Sequence, residues 1–196
     1  DWLIYKLTGI LAVEPSNGST TGLMDLKTRT WDPSILERCG LKSSIFPPVQ
    51  ESGTIAGTVT ADAALQTGLT EGTLVVVGGG DAQLGCIGVG AVDANDAAIF
   101  GGSFWQYEYN TDRADTDPQC RVRVNCHAVK NIWQYEALAF KPGLVMRWFR
   151  DGFCQLEKQI AENSGCDVYD LMNREAEKIP AGCYGMMCTF SDVMNF

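Results

Sequence analysis

The sequence predicts an α/β fold, and three patterns carry that expectation. Residues 73–77, TLVVV, are a short continuous β-branched run that passes into Gly78-Gly79-Gly80 and then into the helix-like stretch Asp81–Gly88; such a run reads as a strand covered on both faces, as in a parallel sheet with flanking helices. Short capped helices precede it. After Val92 the chain turns to alternating, aromatic-rich strands, and then to a segment whose apolar residues recur every three or four positions. Helix, loop, buried strand and glycine turn in succession are the grammar of the α/β class.

The elements follow in chain order. WLIYKLT (2–8) is an amphipathic helix closed by Gly9, which takes the left-handed cap conformation readily. EPSNGSTTG (14–22) reads as a polar loop. In WDPSILERCG, Asp32 can cap, Pro33 can occupy the first turn and Gly40 ends the element. Residues 45–59 hold Pro47-Pro48 and the turn pair Ser52-Gly53, consistent with loop and short strand. Thr60 caps ADAALQT and Gly68 stops it. AAIF (97–100), Gly101-Gly102-Ser103 and FWQYEY (104–109) form a β-hairpin, and NIWQYEAL (131–138) supplies a further strand. From Leu144 to Glu162 the spacing of Met146, Phe149, Phe153, Leu156 and Ile160 predicts one long helix with a buried face. Asp167 caps a last helix, which ends near Pro180 and Gly182. The change of character at AVDAND (91–96) divides the chain into 1–92 and 93–196. The chain opens without Met, inside a helix, and stops at Phe196 after a strand-like run, as a piece of a longer protein would.

Composition excludes several functions. Hydrophobic residues at 45% and charged residues at 20% describe a folding globular chain rather than a disordered one. A formal charge of −9, from 24 acidic and 15 basic residues without a basic run, argues against a nucleic-acid partner. Nothing approaches the ~18 consecutive apolar residues of a membrane span, and nothing at the start resembles a signal peptide, so a soluble cytoplasmic protein with no membrane partner is expected. The eight cysteines are scattered, with no CxxC pair, and are expected as free thiols rather than as disulfides or a zinc site. The lone histidine, His127, is expected as a ring packed at a strand end.

Two stretches can carry chemistry. Asp81, between the glycine turn and AQLGCIG, can cap the helix that follows, or it can accept a proton from a bound hydroxyl, since amide N–H groups at a helix start favour the ionised carboxylate. Gly101-Gly102-Ser103 is either a tight turn or a phosphate cradle in which backbone N–H groups and a hydroxyl meet an anion. A dinucleotide fingerprint starting at Gly78 fails, because Gln83 stands where its third glycine belongs. The aromatic residues Trp105, Tyr107, Tyr109, Trp133 and Tyr135 are expected to pack on sheets, and Arg147 and Arg150 to lie on a solvated helix face.

DWLIYKLTG, SNGSTTGLMDLKTRTWDPSIL, AGTVTADAALQTGLTEGTLVVVGGGDAQLGCIGVG and AAIFGGSFWQ, in this order and spacing, resemble the FGGY family of carbohydrate kinases over essentially the whole chain. GGGDAQLG, GGSFWQ, RVNCH, MRWFRDGFC and GMMCTFSDVMNF are most similar to the group within it that uses ATP to phosphorylate autoinducer-2, a linear dihydroxypentanedione. The resemblance implies an actin-like ATPase fold with a ribonuclease H-like core, here parts of two domains: the end of a substrate domain (1–92) and the start of a nucleotide domain (93–196), with both ligands bound between them in the family. It implies Asp81 as general base and substrate contact, Gln83 as a further substrate contact, and Gly101, Gly102 and Ser103 as the second phosphate loop, where the family more often has threonine. ATP and Mg²⁺ would be the cofactors, with the cation offsetting charge on the phosphoryl oxygens and no metal ligand supplied by this chain. The first phosphate loop and the adenine-binding glycine motif of the family have no counterpart in these residues. A pentulose kinase acting on xylulose or ribulose is the alternative within the family, and a non-catalytic actin-like binding module the alternative outside it. The oligomeric state is left open, a homodimer included.

Overall fold

The computed structural model describes residues 1–139 and 141–187, which fall into two compact units: residues 1–100 with 107–137, and residues 101–106 with those from 138 onward. The strand-like end at Phe196 lies outside the described residues.

In the first unit, α1 (Trp2–Thr8) closes as expected, with Gly9 at φ 74° donating to the Tyr5 carbonyl at 2.7 Å. Ile4 of this helix packs with Ala56 and Val77, and Val75 lies alongside. The expected polar loop at 14–22 contains a helix instead, α2 (Pro15–Ser19). Glu14 makes it: its carboxylate accepts the N–H groups of Ser16 and Asn17, each at 2.6 Å, and Pro15 presets the first turn. Five residues with no apolar periodicity give pattern reasoning nothing to detect.

The short antiparallel pair β1 (Met24–Asp25) and β2 (Thr30–Trp31) leads into α3 (Pro33–Arg38), capped by Asp32, which accepts from Ser34 N–H at 2.8 Å. A 3₁₀ turn spans Ser43–Ile45. Next come β3 (Ile55–Thr58), α4 (Ala61–Thr67), capped by Thr60 and ended by Gly68 at φ 79°, and β4 (Leu74–Val76). The expectation for β4 fails in two respects. It pairs antiparallel with β3 in a two-stranded sheet, and Leu74 and Val76 are 59% and 51% exposed. Strand alternation turns Val75 and Val77 toward Ile4 and Ala56, and among the described residues the opposite face, with Leu74 and Val76, is left largely exposed. A continuous β-branched run does not reveal how many of its faces are covered.

β4 ends one residue before the Gly78–Gly80 loop, from which α5 (Asp81–Gly88) starts. The four-stranded sheet follows: β5 (Ala97–Gly101), β6 (Trp105–Thr111), β7 (Arg123–Cys126) and β8 (Trp133–Ala139), in the order β5-β6-β8-β7. β7 and β8 are antiparallel, with Asn125 opposite Gln134 and Cys126 opposite Trp133. Trp133 is buried and the rings of Tyr109 and Tyr135 stack at 6.4 Å, as sheet packing requires, whereas Trp105 and Tyr107 remain about half exposed.

Contacts distant in sequence join this sheet to α2 and β1. Ser19 Oγ accepts the Cys126 N–H at 2.9 Å, and Trp133 Nε1 donates to the Leu26 carbonyl at 2.7 Å. Arg29, almost wholly buried, grips both Glu51 oxygens at 2.8 Å and donates to the carbonyls of His127 (2.9 Å) and Ile132 (3.1 Å).

The second unit holds the hairpin tip and α6 (Pro142–Phe153), α7 (Gln155–Ser164) and α8 (Val168–Ala176), with a 3₁₀ turn at Cys183–Gly185. The single long helix expected over 144–162 is broken. Cys154, at φ −104° and ψ 50°, leaves the helical region and separates α6 from α7 while the three-and-four apolar spacing continues across the break. That apolar face is also not buried: Phe153 is 63% and Leu156 65% exposed, with Trp148, Phe149 and Phe153 making ring contacts among themselves. Arg147 is solvated as expected, but Arg150 is half-buried, chelates the Asp151 carboxylate at 2.9 Å and lies over the Tyr169 ring. Asp167 caps α8 through the Tyr169 N–H at 2.8 Å. The seven described cysteines are unpaired.

Candidate active site

Asp81 is the first residue of α5, one position inside the cap, which is Gly80. Its Oδ1 accepts the N–H of the adjacent Ala82 at 2.9 Å, and the carboxylate is otherwise exposed to solvent at the helix start. A capping side chain would reach two or three residues onward; the Asp81 carboxylate does not, so it remains available to a ligand. It stands at the positive end of the α5 dipole.

The loop before Asp81 is held from two sides. Gly80 N–H donates to Ser16 Oγ at 2.7 Å. A Cβ on Gly80 would collide with the Gln83 side-chain amide, and one on Gly79 would press on Ala128. Here the glycines serve close approach rather than unusual dihedral angles, since Gly80 sits at φ −61°.

Gln83 is only 4% exposed, and its Nε2 donates to Gln134 Oε1 at 2.8 Å. Gln134 in turn donates to Asn110 Oδ1 (3.2 Å) and to Cys86 Sγ (3.1 Å), while Asn110 donates to the Ala91 carbonyl (3.0 Å). A buried polar layer thus lies between α5 and strands β6 and β8. Glu136 belongs to it, accepting from Asn125 Nδ2 at 2.8 Å. So does Glu108, fully buried, with neither carboxylate oxygen hydrogen-bonded. Burial first, then the negative charges of Glu136 and Asp81, push the Glu108 carboxyl up to about 8, so it is protonated at neutral pH. His127 packs at the end of β7 as expected, accepting the Val129 N–H on Nδ1 at 2.9 Å; burial first and then Arg29 depress it to about 4, which keeps the ring neutral.

Gly101, Gly102 and Ser103 belong to the second unit and form the exposed tip of the β5–β6 hairpin. The turn closes through Gly102 N–H donating to the Phe104 carbonyl at 2.8 Å, so this N–H is engaged. The Gly102–Ser103 backbone lies against the first turn of α6, so close that a Cβ on Gly143 would overlap the Gly102 carbonyl. A glycine turn and a hydroxyl beside the start of a twelve-residue helix form a geometry suited to phosphate, because helix N-termini present unpaired N–H groups and a positive dipole end. Among the described residues no cluster of His, Cys, Asp or Glu could hold a metal ion.

Residues 1–88 match the model of the FGGY family of carbohydrate kinases, N-terminal domain. The whole chain is 52% identical over 196 residues to an autoinducer-2 kinase of Enterobacter sp. (strain 638), and 51% identical to one of Klebsiella pneumoniae subsp. pneumoniae. Residues 1–88 thus carry the N-terminal domain of the FGGY carbohydrate kinases. The chain spans 37% of the length of these curated relatives. Two solved kinases share the fold: a ligand-bound xylulose kinase from Lactobacillus acidophilus (TM-score 0.77, 23% identity, 95% of this chain and 36% of that one) and a xylulose kinase from Rhodospirillum rubrum (TM-score 0.75, 24% identity, 96% and 37%). The α/β architecture is therefore that of the actin-like ATPases. No helix among the described residues is long and apolar enough to cross a membrane.

Sequence reasoning did not single out Glu14, Ser16, Glu108, Gln134 or Glu136. Alternation in WQYEAL gives Gln134 and Glu136 the solvent face of a half-buried strand, yet the structure buries them along with Trp133. The EPSN stretch offered only polarity.

Proposed function

We propose that this chain forms part of an ATP-dependent kinase that phosphorylates a terminal hydroxyl of a small linear polyol or ketose-like substrate, with autoinducer-2 (dihydroxypentanedione) the favoured acceptor. The observation that carries the reading is the 52% identity to an autoinducer-2 kinase across all 196 residues, spanning both candidate stretches. Asp81, exposed and not used as a cap, orients the acceptor hydroxyl and takes its proton. Gln83, buried beneath it, forms the floor of the substrate site. Ser103 and the α6 start bind a phosphate group, and Gly101 and Gly102 keep the turn narrow enough for it to approach. Bound ATP supplies the phosphoryl group and carries Mg²⁺ on its phosphates. Residues 1–92 serve the substrate and 93–196 the nucleotide.

The test grafts these 196 residues into the Enterobacter autoinducer-2 kinase in place of the matching segment. ADP release by this grafted kinase is then compared with dihydroxypentanedione, xylulose and ribulose as acceptors. Dihydroxypentanedione is expected to give the highest kcat/KM. A preference for xylulose or ribulose would make it a pentulose kinase, and no turnover of any polyol would leave a binding module. Asp81→Asn should lower kcat by ~10²-fold or more, the usual scale for a general base.

A further inference from the structure

The side chain that fixes the position of Asp81 comes from α2, some sixty residues earlier in the chain. Ser16 is fully buried, and its hydroxyl makes two bonds of opposite sense: it accepts the Gly80 N–H at 2.7 Å and donates to Glu14 Oε2 at 2.7 Å. Glu14, itself buried, also accepts the Ser16 N–H and the Asn17 N–H, each at 2.6 Å, and the Ser52 hydroxyl at 3.3 Å. With four donors converging on Glu14, the proton of the Ser16 hydroxyl is committed, and its lone pair is turned toward Gly80. The residues after Ser52 complete the support: Gly53 N–H donates to the Val77 carbonyl at 2.9 Å and Val77 N–H to the Thr54 carbonyl at 2.8 Å. The segment 77–80 is therefore held at both ends, and Asp81 follows directly.

We propose that Ser16, oriented by Glu14, is a positioning residue for Asp81, fixing the end of the glycine loop so that the carboxylate meets the acceptor hydroxyl in one geometry. This rests on Asp81 being the general base. Without the Ser16 hydroxyl, Gly80 loses its anchor in a loop whose glycines resist few other conformations. A displacement of the order of 1 Å at a reacting group costs roughly 10²-fold in rate. Neither Ser16 nor Glu14 has to touch the substrate for this effect.

In the grafted kinase, Ser16→Ala should lower kcat by roughly 10- to 100-fold, leave KM for ATP within about twofold, and accelerate hydrogen–deuterium exchange in the peptide covering 78–82. Ser16→Thr, which keeps the hydroxyl, should restore most of kcat. A Ser16→Ala kinase with unchanged kcat, alongside an Asp81→Asn kinase that is inactive, overturns the positioning role and leaves the base intact. Unchanged turnover in Asp81→Asn overturns the base itself, and the positioning role with it. Should Ser16→Ala fail to fold, exchange in the unmutated grafted kinase decides: slow exchange at Gly80 supports the anchor, and exchange as fast as in an open loop overturns it.

Discussion

Gln83 Nε2 donates to Gln134 Oε1 across 2.8 Å, joining the first turn of α5, where Asp81 sits, to β8 through two side chains that are both almost fully buried. Removing one member of such a pair strands the other. Gln83→Ala should cost about 1–3 kcal/mol in urea unfolding. Gln134→Ala should cost more, because Asn110 and Cys86 each lose a bond as well. A double-mutant cycle between the two glutamines should give a clear coupling energy, whereas Gln83 paired with the remote Gln66 should be additive.

Glu108 and His127 set a pH dependence of stability with a particular shape. The folded state raises Glu108 from 4.5 to about 8, so it holds a proton that the unfolded chain has released, and this stabilisation, complete below about 4.5, fades as pH rises toward 8. It lowers His127 from 6.5 to about 4, so that contribution is complete above about 6.5 and fades toward 4. Between about 4.5 and 6.5 the two slopes oppose each other, and from 6.5 to 8 only the loss from Glu108 remains. Thermal melting of the chain should therefore change little from pH 5 to 6.5 and fall from 6.5 to 8. Glu108→Gln should abolish the fall and raise stability at pH 8 by a few kcal/mol, since each tenfold change in proton affinity is worth about 1.4 kcal/mol.

Thiol labelling should separate the cysteines into two classes. Cys39, Cys120 and Cys183 are exposed and should react with a disulfide reagent within minutes. Cys86, Cys126 and Cys154 are buried, and burial raises all three thiols, so they should react only on unfolding. Mass spectrometry of labelled peptides would identify them.

The hairpin tip and the start of α6 can be separated by mutation. Ser103→Ala in the grafted kinase removes one hydroxyl and should raise KM for ATP with little change in melting. Gly143→Ala introduces a methyl where the Gly102 carbonyl lies, and should raise KM for ATP further by pushing the turn away from the helix. If both variants use ATP normally, this tip does not bind phosphate.

The exposed apolar residues on α6 and α7, among them Trp148, Phe149, Phe153 and Leu156, should make the isolated chain self-associate. Sedimentation should show concentration-dependent dimers or larger species, and Phe153→Glu should reduce them.

Much of the secondary structure was legible because caps and stops are local. Gly9, Asp32 with Pro33, Thr60 with Gly68, and Asp167 each act within one turn of their own position, and each is where the sequence places it. The errors share a physical origin in what lies beyond the local window. Whether Leu74 and Val76 are covered depends on what packs against that face of β4, and nothing in TLVVV encodes that. The break at Cys154 leaves the apolar spacing intact. Of the candidate site, Asp81 and the glycine tip were marked by glycine punctuation, whereas Ser16, Gln134 and Glu108 become notable only once α2, β6 and β8 are brought to α5.

The stitches between the early and late parts of the first unit impose an order on its assembly. Ser19 and Cys126 are 107 residues apart, as are Leu26 and Trp133, and the two carbonyls gripped by Arg29 lie 98 and 103 residues downstream. As the chain leaves the ribosome, Arg29 can pair with Glu51 and Ser19 can donate to the Ser16 carbonyl early, but the carbonyls of His127 and Ile132 that Arg29 also meets, and the Cys126 N–H that Ser19 accepts, come only with residues 126–132. Contacts of such sequence separation bear the full entropy of closing a hundred-residue loop and form late. The helix α2 that carries Ser16 is thus made about a hundred residues before the strand whose Cys126 N–H Ser19 accepts.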